Sequence, residues 1–341
     1  MPGHAKDVTL VLHIGLHKTA TSYVQNVLSM RRYDLLRHGV LYPTTGAVDE
    51  VPVSTRSGAQ SGHANFFWAK DRGDLVSQLL TELPQAASTV LLSSEDFSLP
   101  RRRPFVERLL GDFSAFGTIK VVLVLRRQDA WIESYYKQLV DQYGNFETRS
   151  FDEFLRQAGP NLLDFHTRFS LWRDLVGPDN FHVLSYDDLL EGAAIYRRIL
   201  EGMGIGDELL EVDESAHLPI YESVRAIDTL GLRILNSYRL DSREVRTGIA
   251  RSIYAAAPDG DVDLMTPGMR DGIQQMCGPI NEKIEAEWFS EPVPGFRFGS
   301  PAHHSAVSSP TGLEVVDYLN HVISLCEAAR RTADEDRRPG E

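Results

Sequence analysis

Two nearly continuous apolar runs, each followed by a polar turn and an amphipathic segment, mark the N-terminal half of the chain. The first extends over residues 8–14 and the second over residues 119–125, and both are rich in β-branched side chains. Runs of this kind are typical of strands that are buried on both faces of a parallel sheet. Shorter apolar segments at 89–93 and 180–185 predict two more parallel strands.

The segments between these strands have helical periodicity, with apolar positions three and four residues apart. We predict helices from the first loop to about His38, and then over 65–83, 101–111, 130–140 and, as one or two helices, 151–176. Strands that alternate with helices predict a three-layer αβα fold of the α/β class, in which a central parallel sheet has helices on both faces. Additional helices are expected toward the C-terminus.

The predicted domain organisation is simple. Residues 1–300 form a single domain, which contains a mobile polar loop at about 44–62 and a largely helical region at 191–290. Residues 301–332 contain a final helix from about Thr311 to Arg330, and the charged tail at 333–341 is expected to be disordered. A chain of 341 residues is long enough to bury a substantial core within one large domain.

Net charge, cysteine content and hydropathy exclude several classes of partner, cofactor and location. The formal net charge of −13 repels polyanions, so we expect no nucleic-acid partner. The two cysteines, Cys277 and Cys326, have no metal-ligand spacing and are too few for a disulfide framework, and we predict no metal site. The sequence contains no apolar stretch of membrane-spanning length and no N-terminal signal pattern, so we expect a cytoplasmic protein.

The loop after the first apolar run is a candidate anion site. Lys18 lies there among small hydroxyl residues, and Thr19 or Thr21 is placed to cap the helix that follows. The free N–H groups of that helix's first turn, its dipole and the Lys18 ammonium would act on one ligand above the strand end, for which phosphate or sulfate is the best fit. It is not a Walker A loop, because His17 occupies the place of the glycine before the lysine.

This loop resembles the 5′-phosphosulfate loop of sulfotransferases that use 3′-phosphoadenosine 5′-phosphosulfate (PAPS), particularly bacterial members whose loops read HxGxxKTGTT. Ala20 stands where many relatives have glycine. The resemblance implies a P-loop NTPase-like sulfotransferase fold. It also implies that the donor is held by a run of consecutive residues, namely Lys18, Thr19, Ala20, Thr21 and Ser22.

A second segment supports the same family. Arg126 directly follows the second apolar run. Ser134 lies eight residues later, off the apolar stripe of its helix. This spacing is similar to that of the family's 3′-phosphate motif, which implies that Arg126 and Ser134 bind the 3′-phosphate. The asparagine-proline pair usual after the arginine is replaced by Arg127 and Gln128. Two arginines are therefore candidates, and the spacing favours Arg126.

Two residues are candidates for the base that activates an acceptor hydroxyl. Glu95 follows a predicted central strand, and its place resembles that of the catalytic histidine in steroid and phenol sulfotransferases. His63 precedes Asn65 and two phenylalanines, and its place resembles that of the catalytic glutamate in glycan sulfotransferases. The sequence does not decide between them. His13 and His17 are interpreted as structural.

The predicted function is transfer of a sulfuryl group from PAPS to a hydroxyl of a small-molecule or glycan acceptor (a sugar, a glycolipid or a secondary metabolite). In-line transfer would need Lys18 to neutralise charge on the departing oxygen, with no metal. The alternatives are a P-loop kinase that uses ATP and an inactive nucleotide-binding or scaffold protein. The sequence does not reveal the acceptor or the oligomeric state.

Overall fold

The computed structural model of the protein describes residues 4–48, 62–186, 200–201, 224–240, 242–288 and 309–336. Within these ranges five strands form one parallel sheet, in the order β2-β3-β1-β4-β5. The strands are β1 (Thr9–His13), β2 (Val40–Leu41), β3 (Thr89–Ser93), β4 (Thr118–Leu125) and β5 (Phe181–Ser185). The predicted α/β class with a central parallel sheet is confirmed, and the two-residue edge strand β2 is an addition to the prediction.

The register of the sheet decides which residues meet at its carboxyl edge. His13 at the end of β1 lies opposite Ser93 of β3 on one side and Val122 of β4 on the other. The loop that follows β1 and the turn that follows β3 therefore emerge side by side. Strand β4 continues three residues beyond this level, to Leu125. Open α/β sheets place their ligands at this edge.

Both faces of the sheet are buried, which explains the unbroken apolar runs. Leu10 and Leu12 of β1 belong to the large core on one face, whereas Val11 belongs to a smaller core on the other. The smaller core includes residues of the helices α1 (Thr21–Met30) and α2 (Arg32–Arg37). Successive side chains of a strand point to opposite faces, so each strand needs apolar residues at every position.

The large core lies against the remaining described helices. Those that connect the strands are α3 (Asn65–Trp68), α4 (Gly73–Glu82), α5 (Arg103–Asp112), α6 (Gln128–Asp141), α7 (Phe151–Leu163) and α8 (Phe165–Val176). The described C-terminal helices are α9 (Ala226–Ser237), α10 (Arg243–Ala256), α11 (Pro267–Trp288) and α12 (Gly312–Asp336). Helices α9 to α12 add residues to the same core, so they extend one face of the sheet.

Several predicted helix boundaries need correction. The single helix predicted over 65–83 is wrong, because the backbone is extended at Ala69 and the chain turns before α4 begins. The Arg72 guanidinium stabilises this break by donating to the Ala69 carbonyl, 3.0 Å away, and to Asp112, 2.5 Å away. The helix predicted after the first loop is divided at Arg31. Residues 151–176, predicted as one or two helices, form two, α7 and α8, which are separated at Asp164.

Other predictions fall partly outside the described residues. Most of the predicted mobile loop, at 49–61, lies there, as do large parts of the region 191–290. Helix α12 continues to Asp336, so the first residues of the tail predicted to be disordered are helical, and 337–341 are not described. In the part of the chain that is described, no helix combines the length and apolar character needed to cross a membrane.

Candidate active site at the carboxyl edge of the sheet

The loop between β1 and α1 has an unusual backbone. Lys18 and Ala20 both adopt the left-handed conformation, with φ of 63° and 61°, on either side of Thr19. For residues other than glycine this conformation costs roughly 1–2 kcal/mol each. Such strain is concentrated at functional sites, and alternation with left-handed residues gathers backbone N–H groups into an anion-binding concavity.

Two threonine hydroxyls stabilise this loop. Thr19 Oγ1 donates to the Leu16 carbonyl at 2.7 Å, and Thr21 Oγ1 donates to the same carbonyl at 3.0 Å. The prediction that Thr19 or Thr21 caps α1 is therefore wrong, because the Leu16 oxygen competes successfully for both hydroxyls. The N-cap is Ala20, which has no side chain that could cap the helix. Among the described residues, no side chain caps the N–H groups in the first turn of α1.

Lys18 is a largely buried cation in this loop. Burial lowers the pKa of its ammonium, and Arg126 lowers it further, while the carboxylates of Asp141 and Glu95 act in the opposite direction. Among the described residues no carboxylate forms an ion pair with Lys18. An anion bound at the loop would stabilise the charged form of this lysine.

Arg126 joins the end of β4 to the Lys18 loop. Its Nη1 donates to the Lys18 carbonyl at 3.1 Å, and its guanidinium carbon lies 5.1 Å from the centre of the Tyr186 ring. Its buried Nε has no hydrogen-bond partner within the described structure. Arg127 extends elsewhere, because its guanidinium donates to the buried carboxylate of Asp129 at 2.5 and 3.1 Å. The geometry therefore selects Arg126 as the arginine of the loop.

Ser134 lies in α6, which begins just after Arg126. It is 8% exposed, so the structure buries this hydroxyl residue within the helix's packed surface. Three residues before it, Trp131 donates its indole N–H to the His17 carbonyl of the loop at 2.9 Å. Residues three apart lie on the same face of an α-helix, so Ser134 lies on the side of α6 that packs against the loop. The two segments singled out from the sequence therefore meet around Lys18.

Glu95 lies directly beside the same loop. A side chain at Gly15, where φ is +93°, would place its Cβ only 3.0 Å from the Glu95 Cα, so glycine allows the two segments to touch. Burial raises the pKa of the Glu95 carboxyl, whereas the charge of His17 and a hydrogen bond from Gln25 act to lower it. Gln25 Nε2 donates to Glu95 Oε2 at 3.2 Å. The result is a carboxylate of increased basicity, oriented next to a cation.

His63, the other candidate base, is engaged on both ring nitrogens. The backbone N–H of Ser93 donates to Nδ1 at 3.1 Å, and Nε2 donates to the Pro43 carbonyl, 3.0 Å away. The ring is fully buried, and burial lowers its pKa to about 4. It is therefore a neutral histidine that ties the segment before α3 to β3, and this geometry favours Glu95 over His63 as the base.

The two histidines that were interpreted as structural, His13 and His17, differ in their surroundings. His13 is fully buried, its Nδ1 lies 2.8 Å from Ser93 Oγ, and burial lowers its pKa to about 4, which agrees with a structural role. His17 Nε2 lies 3.6 Å from Asp96 Oδ1, and its carbonyl accepts the Trp131 indole N–H at 2.9 Å. Sequence reasoning missed Asp96, although its place directly after Glu95 at a strand end was a usable signal.

Among the described residues, no group of three or more histidine, cysteine or acidic side chains is arranged to hold a metal ion. Both cysteines are buried and free.

Comparison with protein-family models and with curated proteins finds no match. Among solved structures, the chain is similar to a sulfotransferase from Alicyclobacillus acidocaldarius, with a TM-score of 0.45 and 14% sequence identity. The similarity covers 82% of this chain and 94% of that chain.

Proposed function

We propose that this protein is a PAPS-dependent sulfotransferase, which moves a sulfuryl group from PAPS to the hydroxyl of an acceptor. The observation that carries the proposal is the convergence of two cations from distant parts of the sequence. Arg126 reaches the Lys18 carbonyl at 3.1 Å, across 108 residues of chain. A donor with anionic groups at both the 3′ and 5′ positions of one nucleoside needs two such positive centres.

The residues present fit such a donor. The left-handed backbone at Lys18 and Ala20 forms a cradle for the phosphosulfate, and the N–H groups of residues 19–22 would add donors to it. Arg126, whose buried Nε has no partner among the described residues, and Ser134, on the side of α6 that packs against the loop, would hold the 3′-phosphate. Guanidinium suits this role because its forked donors match a pair of phosphate oxygens.

Residues of this chain would take up the proton of the acceptor and stabilise the negative charge on the leaving oxygen. Glu95 would accept the proton of the acceptor hydroxyl as the acceptor oxygen forms its new bond to sulfur, and burial makes this carboxylate more basic than an exposed one. Lys18 would stabilise the negative charge on the bridging oxygen as its bond to sulfur breaks, which leaves adenosine 3′,5′-bisphosphate. Stabilisation of charge that develops in the transition state is the main contribution of a protein to such transfers.

The test is transfer of radiolabelled sulfate from PAPS to a panel of hydroxyl acceptors. Lys18→Ala should lower kcat by about 10²–10³, the scale for removal of one preorganised donor. Lys70→Ala is the matched control, because Lys70 is an exposed lysine. Circular dichroism and thermal unfolding should show that both variants are folded.

Arg126→Ala supplies a second, independent readout. Loss of a charge-assisted contact to phosphate should raise the KM for PAPS about 10–100-fold and change the acceptor KM much less. Magnesium-dependent consumption of ATP, with no transfer from PAPS, would instead support the kinase alternative. Binding of nucleotide without any transfer would support the inactive alternative.

A further inference from the structure

Four side chains beside Glu95 form a connected group that the mechanism above does not use. The Trp68 indole N–H donates to Asp96 Oδ2 at 2.6 Å, and the other carboxylate oxygen lies 3.6 Å from His17 Nε2. The His17 ring in turn contacts the Tyr135 ring edge-on, with centroids 5.6 Å apart. We call Trp68, Asp96, His17 and Tyr135 the Asp96 cluster. The cluster extends from Trp68 at the end of α3, through Asp96, which directly follows Glu95, to Tyr135 in α6.

The cluster offers an open aromatic surface in a fixed orientation. Trp68 is 57% exposed, although its N–H is bonded and its ring packs edge-on against Phe67 at 5.0 Å. At the other end, the Tyr135 ring stacks on Trp131 with centroids 5.0 Å apart. An indole held rigidly but left exposed next to a reactive carboxylate is the kind of surface that binds a ligand's C–H face.

The Asp96 carboxylate decides which polar groups such a ligand carries. An ionised carboxylate only accepts hydrogen bonds, and it has about four acceptor sites, so the Trp68 N–H leaves room for further donors. The ligand must therefore supply donors, either hydroxyl or ammonium groups.

Neighbouring charges separate these two kinds of donor. Asp96 and Glu95 are consecutive carboxylates, and they would repel an anionic acceptor. The guanidinium of Arg101 lies over the Phe67 ring, 4.6 Å from its centre, and over the Trp68 ring, 5.5 Å from its centre, so a positive charge lies on one face of the aromatic surface. A charged ligand of either sign is therefore attracted by one of these groups and repelled by the other. A neutral molecule with several hydroxyls meets neither repulsion.

We propose that the Asp96 cluster is the acceptor subsite and that it binds a neutral sugar ring. The C–H face of the sugar lies on the Trp68 indole, and its hydroxyls donate to Asp96. A neighbouring hydroxyl is then presented to Glu95. This inference rests on the proposed function for the role of Glu95, but the binding of the sugar is independent of the sulfuryl donor.

The experiment uses the full chain and a panel of neutral methyl glycosides, with the corresponding uronic acids, amino sugars and simple phenols for comparison. Saturation-transfer NMR should detect binding of one or more neutral glycosides, and their signals should report contact through the C–H face. Trp68→Ala should weaken that binding about tenfold, the effect of removing a central aromatic contact. Asp96→Asn keeps an oxygen for the indole N–H, and it should also weaken binding.

The matched control is Tyr33→Ala, because Tyr33 is an aromatic residue of α2 that is 74% exposed. It should leave glycoside binding unchanged. In the transfer assay, Trp68→Ala should raise the KM for the glycoside and leave the KM for PAPS within twofold, a split that general destabilisation would not produce.

Failure of this inference differs from failure of the proposed function. If the protein binds adenosine 3′,5′-bisphosphate and sulfates phenols, uronic acids or amino sugars in preference to neutral glycosides, the inference is overturned and the sulfotransferase proposal stands. Unchanged glycoside binding in Trp68→Ala would also overturn it. Glycoside binding that depends on Trp68, in a protein that transfers nothing from PAPS, would support the subsite and overturn the sulfotransferase proposal.

Discussion

Replacement of Glu95 by glutamine tests the role of the base with little change in shape. The carboxylate is partly buried, and it accepts a hydrogen bond from Gln25 at 3.2 Å. Glutamine has the same length and retains an oxygen for that bond, but it cannot take a proton from an acceptor. A positioned general base contributes about 10²–10⁴ to the rate. We therefore expect Glu95→Gln to lower kcat by that factor while the KM for PAPS stays within a few-fold.

The pH dependence gives the same test a second readout. Because burial raises the pKa of Glu95, the activity of the unmodified enzyme should rise with pH along an acid limb whose midpoint lies above the ordinary value for glutamate. This limb should be absent from the pH profile of Glu95→Gln. Steady-state rates of sulfate transfer over pH 4–8, a range that includes the ordinary glutamate pKa of about 4.3, would measure both profiles.

Stability should change in the opposite direction from activity. A carboxyl whose pKa is raised by folding stabilises the fold at low pH, and that contribution is lost as the pH rises through the raised pKa. At neutral pH the buried charge is therefore a cost, so Glu95→Gln should be at least as stable as the unmodified protein in urea titrations. A loss of activity below tenfold, with the acid limb retained, would refute the assignment of Glu95 as the base.

Three further predictions concern the neighbouring residues. Ala20→Gly should raise the free energy of unfolding by about 0.5–1 kcal/mol in urea titrations, because it removes the cost of a left-handed alanine; a decrease would show that this backbone is unstrained. Gln25→Met should move the acid limb of activity to higher pH, because the Glu95 carboxylate loses a donor; an unmoved limb would contradict this. Burial lowers the pKa values of His13 and His63 to about 4, so protonation of each ring should lower the free energy of unfolding by about 3 kcal/mol as the pH falls from 6.5 through 4. Urea titrations at several pH values would measure this loss, and His63→Asn should make the free energy of unfolding less dependent on pH.

The strands of the sheet were predictable because their environment is uniform. Both faces of β1 and β4 are buried, so apolar residues occupy every position and the boundaries agree with the prediction to within about a residue at each end. The meeting of the Lys18 loop with Arg126 also follows from the sequence, since parallel strands end at one edge. Strand β2 has only two residues, too few for a pattern to reveal.

The chemistry of individual side chains was less predictable, because it depends on contacts between distant residues. The imidazole of His63 could act as a base, but its two nitrogens form hydrogen bonds with Pro43 and Ser93, which lie 20 and 30 residues away in sequence. The hydroxyl of Thr19 could cap a helix, but it donates to the Leu16 carbonyl inside the loop. In both cases the residue type was right for the chemistry, and tertiary contacts gave it another partner.

The central claim is that Lys18 and Arg126 together bind one nucleotide with anionic groups at both ends. Isothermal titration calorimetry with adenosine 3′,5′-bisphosphate and with adenosine 5′-monophosphate tests it most directly, because the two ligands differ only in the 3′-phosphate. The account predicts that the bisphosphate binds at least tenfold more tightly, on the scale of one charge-assisted contact, and that Arg126→Ala removes most of the difference. Equal affinities for the two ligands, or a difference that is undiminished in Arg126→Ala, would contradict it.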